Sequence, residues 1–183
     1  MPTSNPKRYG LLAITLHWLL AAAIVFLFFF GLYMVNLPFS LAKLKYMNWH
    51  KWVGIMILVF SVLRLVNRLV KRPPALPESM AKKMPRWQRI AHHGTHHMMY
   101  LLFLVVPLLG WAHSSAVGFP IVLFGQIPLP DLVPVNRELA FALRPWHKWS
   151  AFALMALIVL HILAVVKHQV IDRDGLLKRM LPW

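Results

Sequence analysis

Four stretches of the chain, about 10–36, 47–70, 90–116 and 146–170, contain no acidic residue, and the prolines and most of the charges gather between and beyond them. The first is the cleanest: residues 10–35 hold no Asp, Glu, Lys or Arg. At about 1.5 Å per helical residue that run reaches roughly 39 Å, enough to cross a hydrocarbon core of about 30 Å with some tilt. A signal peptide has a shorter apolar core, about 7–15 residues, ending in a small-residue cleavage site. Here the run ends Phe28-Phe29-Phe30-Gly31-Leu32-Tyr33, which reads as an uncleaved first span.

Proline punctuates the rest. Pro38 breaks the chain, and a short segment with Lys43 and Lys45 leads to the second span. Residues 71–89 form a stiff basic linker opening Lys71-Arg72-Pro73-Pro74-Ala75-Leu76-Pro77, in which the ring and the missing N–H oppose helix. Pro107 predicts a kink within the third span, tolerable in lipid when neighbours satisfy the freed carbonyl. Residues 117–145 are apolar but carry Pro120, Pro128, Pro130 and Pro134, so an interfacial loop or re-entrant segment is expected. The whole chain, 1–183, reads as one all-α integral membrane domain: a bundle of four transmembrane helices with a polar tail, Asp172–Trp183.

Composition agrees. The chain is 59% hydrophobic with a mean hydropathy of +0.60, more apolar than a soluble domain of this size can cover. The formal charge of +15 raises the possibility of nucleic acid, but the cations lie at the ends of apolar runs, which fits a lipid partner and no nucleic acid. Lys43, Lys45, Lys51, Arg137, Arg144 and Lys148 fall on one side, and the other fourteen Lys and Arg on the side of the N-terminus, the linker and the tail. The positive-inside rule puts both termini in the cytoplasm. Trp18, Trp49, Trp52, Trp87, Trp111, Trp146 and Trp149 lie mostly near span ends, as interfacial anchors do.

The chemistry rests on imidazole. With no Cys there is no thiolate-held cluster and no covalent haem attachment, whereas ten His are present. Ionisable groups within spans are expensive and face the bundle interior. His147 and His161 are fourteen residues apart; at about 100° and 1.5 Å per residue they share a face within roughly 40°, about 21 Å apart along the axis. By depth, His17 is level with His161 in the inner leaflet, and His50 with His147 in the outer. Each pair can clamp a non-covalent haem iron from both faces, and filling both axial positions favours electron transfer over O₂ binding. Gly31, fourteen after His17, and Gly54, one turn after His50, leave room for a porphyrin edge.

Three further groups are candidates. His92, His93, His96 and His97 open the third span with pairs at i, i+4, a zinc-compatible spacing, but no H-E-x-x-H accompanies them. A place beside the inner haem, as a propionate contact or quinone-site wall, is the preferred expectation for His93 and His96. Arg64, fourteen after His50, reaches either an inner-haem propionate or the interface. On the outer side Lys51 and Lys148 each follow a candidate iron ligand, with Arg144 one turn before Lys148, and together they suggest a cationic funnel for a small anion.

These residues resemble the bacterial cytochrome b561 family, related to the cytochrome b subunits of formate dehydrogenases and nickel–iron hydrogenases. The likeness runs through Leu16-His17-Trp18, Asn48-Trp49-His50, Gly54, Arg64 and Arg68, Ala91-His92-His93-Gly94, Tyr100-Leu101-Leu102-Phe103, Pro107, Gly110, Trp146-His147, Leu160-His161 and His168. It departs at Thr95-His96-His97 and in the proline-rich loop. The resemblance implies two b haems in the pairing above, a multi-pass protein of the bacterial inner membrane, and ubiquinone near the cytoplasmic haem with His168 beside it. One well-matched member is a superoxide oxidase. A superoxide:quinone oxidoreductase is therefore the leading expectation. An electron-transfer subunit for a periplasmic dehydrogenase or soluble redox partner stands second, and a histidine-lined metal transporter without redox chemistry third.

Overall fold

The computed structural model describes residues 8–71, 74, 86–173 and 175–181. Most of the 71–89 linker, with Arg72, Lys82 and Lys83, lies outside them, as do Lys7, Pro182 and Trp183 and the side chains of residues 87–89, 91 and 92. The chain builds four long helices, α1 (Leu11–Val35), α2 (Leu41–Val70), α3 (Arg86–Val117) and α4 (Arg137–Lys167). Each holds a stretch long and apolar enough to cross a bilayer. A short hairpin, β1 (Val122–Leu123) with β2 (Ile127–Pro128), is the one departure from an all-helical chain among the described residues.

Local chemistry sets the helix ends. Asn36 closes α1, its Nδ2 donating to the Leu32 carbonyl at 2.8 Å. Ser40 caps α2 by accepting from the Lys43 N–H at 3.2 Å, so α2 starts at Leu41, six residues before the expected span. Asn136 does the same for α4, accepting from the Leu139 N–H at 2.9 Å with Glu138 in the positive first turn. That cap starts helix inside the expected 117–145 loop, and α4 then runs through Pro145. The fourth helix thus begins nine residues before the expected span, and Pro145 is tolerated inside it because neighbouring groups can satisfy the carbonyl it frees. At the far end of α3, Gly118 takes φ +78, a left-handed value that closes the helix.

Residues 118–136 fold back over the outer ends of α2 and α3. Val122 pairs with Pro128 and Leu123 with Ile127 around a turn at Phe124 and Gly125, both at positive φ. Side chains from the helices hold this loop by its carbonyls. Lys51 Nζ donates to Phe119 and Pro120, each at 3.2 Å, Trp52 Nε1 to Val122 at 2.7 Å, and Trp111 Nε1 to Pro130 at 3.2 Å.

At the opposite end the described segments nearest the two termini meet. The Tyr9 N–H donates to the Arg179 carbonyl at 3.2 Å and Trp18 Nε1 to the Met180 carbonyl at 2.8 Å, so the N-terminal and C-terminal segments share one face. Between the two ends lies a single apolar layer: Leu20, Ile24 and Leu27 of α1, Ile57 of α2, Met99 and Phe103 of α3, and Leu154 and Ile158 of α4. Outside it the surface stays apolar, with Phe26 and Phe29 each 60% exposed, as a lipid-facing wall requires.

Candidate haem-binding sites

The bundle brings His17 of α1 to His161 of α4, and His50 of α2 to His147 of α4. Ring centres in both pairs stand 6.3 Å apart, with ring planes crossed at 71° and 84°. An imidazole nitrogen binds a metal at about 2.0 Å and the ring centre lies roughly 1.1 Å behind it, so two rings on opposite sides of one ion stand roughly 6.2 Å apart. Both separations suit an iron held between the rings. The Leu154 and Ile158 layer falls between the pairs and separates them along the helix axes.

Polar detail at the outer pair points the same way. His50 Nδ1 is buried without a hydrogen-bond partner. His147 Nδ1 lies 2.9 Å from the Val106 carbonyl, which can only accept, so Nδ1 carries the proton and Nε2 is the nitrogen fit for a metal. Two glycines allow these positions. A Cβ on Gly110 would meet His147 Cε1 at 2.9 Å, and one on Gly31 would meet His50 Cε1 at 3.1 Å. Gly54 has ordinary room, its nearest neighbour being Leu27 at 3.9 Å, so it serves helix contact and not the ring.

Around the inner pair, His96 of α3 stacks edge to face on His161 with ring centres 5.3 Å apart, too close for the two to share an ion across it. Arg64 lies within electrostatic range of both His17 and His161. Its Nε donates to the Tyr100 hydroxyl at 3.3 Å, while Nη1 is buried without a hydrogen bond, poised for an acceptor such as a carboxylate. His93 is exposed on α3, and its carbonyl lies 2.7 Å from His97 Nδ1. His168 lies beyond the pair at the end of α4, its Nδ1 3.1 Å from Asp172 Oδ2.

Comparison with known proteins decides the family. The model of prokaryotic cytochrome b561 matches residues 8–183. The chain belongs to the prokaryotic cytochrome b561 family. It is thus a b-type haem electron-transfer protein, crossing the bacterial inner membrane several times as its four long apolar helices require. Cytochrome b561 homolog 2 of Escherichia coli K12 is 33% identical over 187 residues, covering 98% of this chain and 94% of that protein. The probable superoxide oxidase CybB of Yersinia pestis is 32% identical over 187 residues, covering 96% and 97%. Cytochrome b562 of Cereibacter sphaeroides is 30% identical over 179 residues, covering 94% of each.

In this b561 protein the three outer cations sit differently. Lys51 is turned into the loop carbonyls and sits over the Phe119 ring at 3.9 Å, Lys148 lies over Trp149 at 5.4 Å, and Arg144 is exposed. Sequence reasoning missed His113, which lies on α3 within electrostatic range of His147 and Arg144. It also missed the role of Gly110, although the signal was present: Gly110 follows His96 by the same fourteen residues that separate Gly31 from His17. The Val106 carbonyl has no sequence signature, because any residue supplies one.

Proposed function

We propose that this cytochrome holds two b haems, takes electrons from superoxide at the periplasmic face and reduces ubiquinone at the cytoplasmic face. One observation carries the reading: two histidine pairs with equal 6.3 Å separations, one on each side of the apolar layer. His17 and His161 would hold the inner haem, and His50 and His147 the outer. When bound, each haem supplies one-electron transfer. Two superoxide anions yield two O₂ and two electrons, which with two protons convert quinone to quinol. Arg64 offers its buried Nη1 to an inner propionate, and His96 braces His161. His93 and His168 line the quinone side, with His168 donating a proton. Lys148 and Arg144 raise the local concentration of the anion, and Lys51 adds its charge from α2, held against the loop carbonyls. The Yersinia pestis relative named as a probable superoxide oxidase supports this substrate.

The second reading, a subunit passing electrons between quinone and a periplasmic dehydrogenase or soluble partner, has one observation in its favour. The outer loop exposes Phe124, Ile127 and Val135, 59%, 56% and 70% accessible, an apolar patch fit for a protein. Purified protein without a partner separates the two. Haem quantified per chain should give two, and superoxide should drive quinone reduction in stoichiometric amounts. Two haems without superoxide-driven turnover would move the partner reading ahead, and a single haem would overturn the site assignment.

A further inference from the structure

α4 does not stop at Lys167. It widens into one π turn, His168–Asp172, before Arg173 leaves the helix at φ 49. Such turns are rare and recur at functional sites. This one brings together groups that the electron path does not use. His168 Nδ1 is 3.1 Å from Asp172 Oδ2, and Lys167 Nζ is 2.6 Å from the same oxygen. Exposure is graded along the three: the side chain of His168 is 13% accessible, that of Asp172 31% and that of Lys167 46%. A carboxylate in contact with water therefore grips a ring turned into the protein. Beside it an open cleft of about 410 Å³ is lined by Gln169, Val170, Arg173, Gly175 and Lys178.

Helix stability does not explain the acid. A helix C-terminus carries partial negative charge and favours cations, so a carboxylate there is unfavourable before its ion pairs are counted. The chain spends one of its five acidic residues at this spot. A carboxylate on Nδ1 of an imidazole keeps the proton on that nitrogen, makes Nε2 the one that exchanges protons, and stabilises the cationic ring.

We propose that Asp172 is the positioning residue of His168, fixing its tautomer and restoring its proton while His168 serves as the donor to quinone. This rests on the reading that quinone is reduced beside His168. For each electron delivered, the Nε2–H bond of the cationic ring breaks and an O–H bond forms on a quinone oxygen. The ring regains its proton from cytoplasmic water on the side of Asp172 and the cleft. Two electrons from the outer donor and two such protons complete the quinol. Lys167 neutralises the carboxylate and keeps it ionised against the ring.

The test runs the step backwards, so that it needs no particular outer donor. Haem reduction by a soluble ubiquinol analogue is followed by stopped-flow absorbance in the intact haem-loaded protein. Asp172→Asn should slow the rate roughly tenfold, a part of the 10²–10⁴-fold that positioned acid–base groups supply. It should leave haem content and the half-saturating quinol concentration unchanged and raise the solvent deuterium isotope effect. Asp172→Glu should restore the rate to within about twofold. Nitrogen-15 spectra of histidine-labelled protein should show His168 protonated on Nδ1 in the wild type and mixed between nitrogens in Asp172→Asn. If His168→Ala slows the reaction but Asp172→Asn changes neither rate nor isotope effect, the pairing is overturned and the quinone reading stands. If His168→Ala is also without effect, both fall.

Discussion

Replacing Gly110 by Ala adds one carbon where the structure has least room. The new Cβ would stand 2.9 Å from His147 Cε1, 3.2 Å from Nδ1 and 3.6 Å from Nε2. Ordinary contact needs about half an ångström more, and the ring is tethered. Its Nδ1 is tied to the Val106 carbonyl at 2.9 Å, on the same helix as the intruding methyl. Either that bond breaks or α3 and α4 part, and both move Nε2 away from an iron. Overpacking of this kind costs about 1–3 kcal/mol, roughly a five- to 150-fold loss in affinity for the outer haem. A helical Gly→Ala exchange otherwise stabilises by about 0.8–1 kcal/mol, so the helix itself does not suffer. The assay is haem content per chain and the reduced-minus-oxidised spectrum of three variants. Gly54→Ala, with its nearest neighbour at 3.9 Å, should load like the wild type, Gly31→Ala at 3.1 Å should lose part of the outer haem, and Gly110→Ala most of it. Equal loading of Gly110→Ala and Gly54→Ala would refute the claim that glycine is there to seat His147.

Three other expectations follow from the same geometry. Ala at His17 or His161 should remove the inner haem while Ala at His50 or His147 removes the outer, and the remaining haem should keep its low-spin spectrum; loss of both haems from each variant would show that the sites are not separable. The crossed ring planes, 71° and 84°, predict strongly anisotropic low-spin signals from both oxidised haems in electron paramagnetic resonance, whereas two ordinary rhombic spectra would mean near-parallel rings. Reversing Arg144 and Lys148 to Glu should slow superoxide consumption about tenfold at low salt and flatten its ionic-strength dependence. An unchanged low-salt rate would end the electrostatic-capture argument, and Lys51 is left intact because its reversal would also release the loop.

The four helices were legible because each acid-free run is long enough to cross a bilayer on its own. Helix periodicity likewise sufficed to align His147 with His161 and to place Gly31 at the depth of the outer pair. What failed was local and tertiary. Pro120, Pro128, Pro130 and Pro134 hid the hairpin, and the start of α4 at Arg137 was missed because its cap, Asn136, stands in a run that reads as loop. Lys51 was expected to face solvent, since nothing in sequence tells that two loop carbonyls sixty-eight and sixty-nine residues away would accept from it. His113 was passed over because it shares no fourteen-residue spacing with the other histidines.

The apolar layer between the histidine pairs has an electrical consequence. Leu20, Ile24, Leu27, Ile57, Phe103, Leu154 and Ile158 offer no polar atom to support a chain of water, so under the proposed two-haem reading charge would cross this layer as electrons. An electron moved about 21 Å inward across a core of about 30 Å traverses some 70% of the membrane voltage, against a negative interior. At about 2.3 kcal/mol per charge per 100 mV, each transfer then costs about 1.6 kcal/mol for every 100 mV, a factor of roughly fifteen in equilibrium. Under the proposed reading, inward electron flow would thus be braked by an energised membrane and eased when the voltage collapses, so the direction of work would be set partly by the state of the cell around the protein.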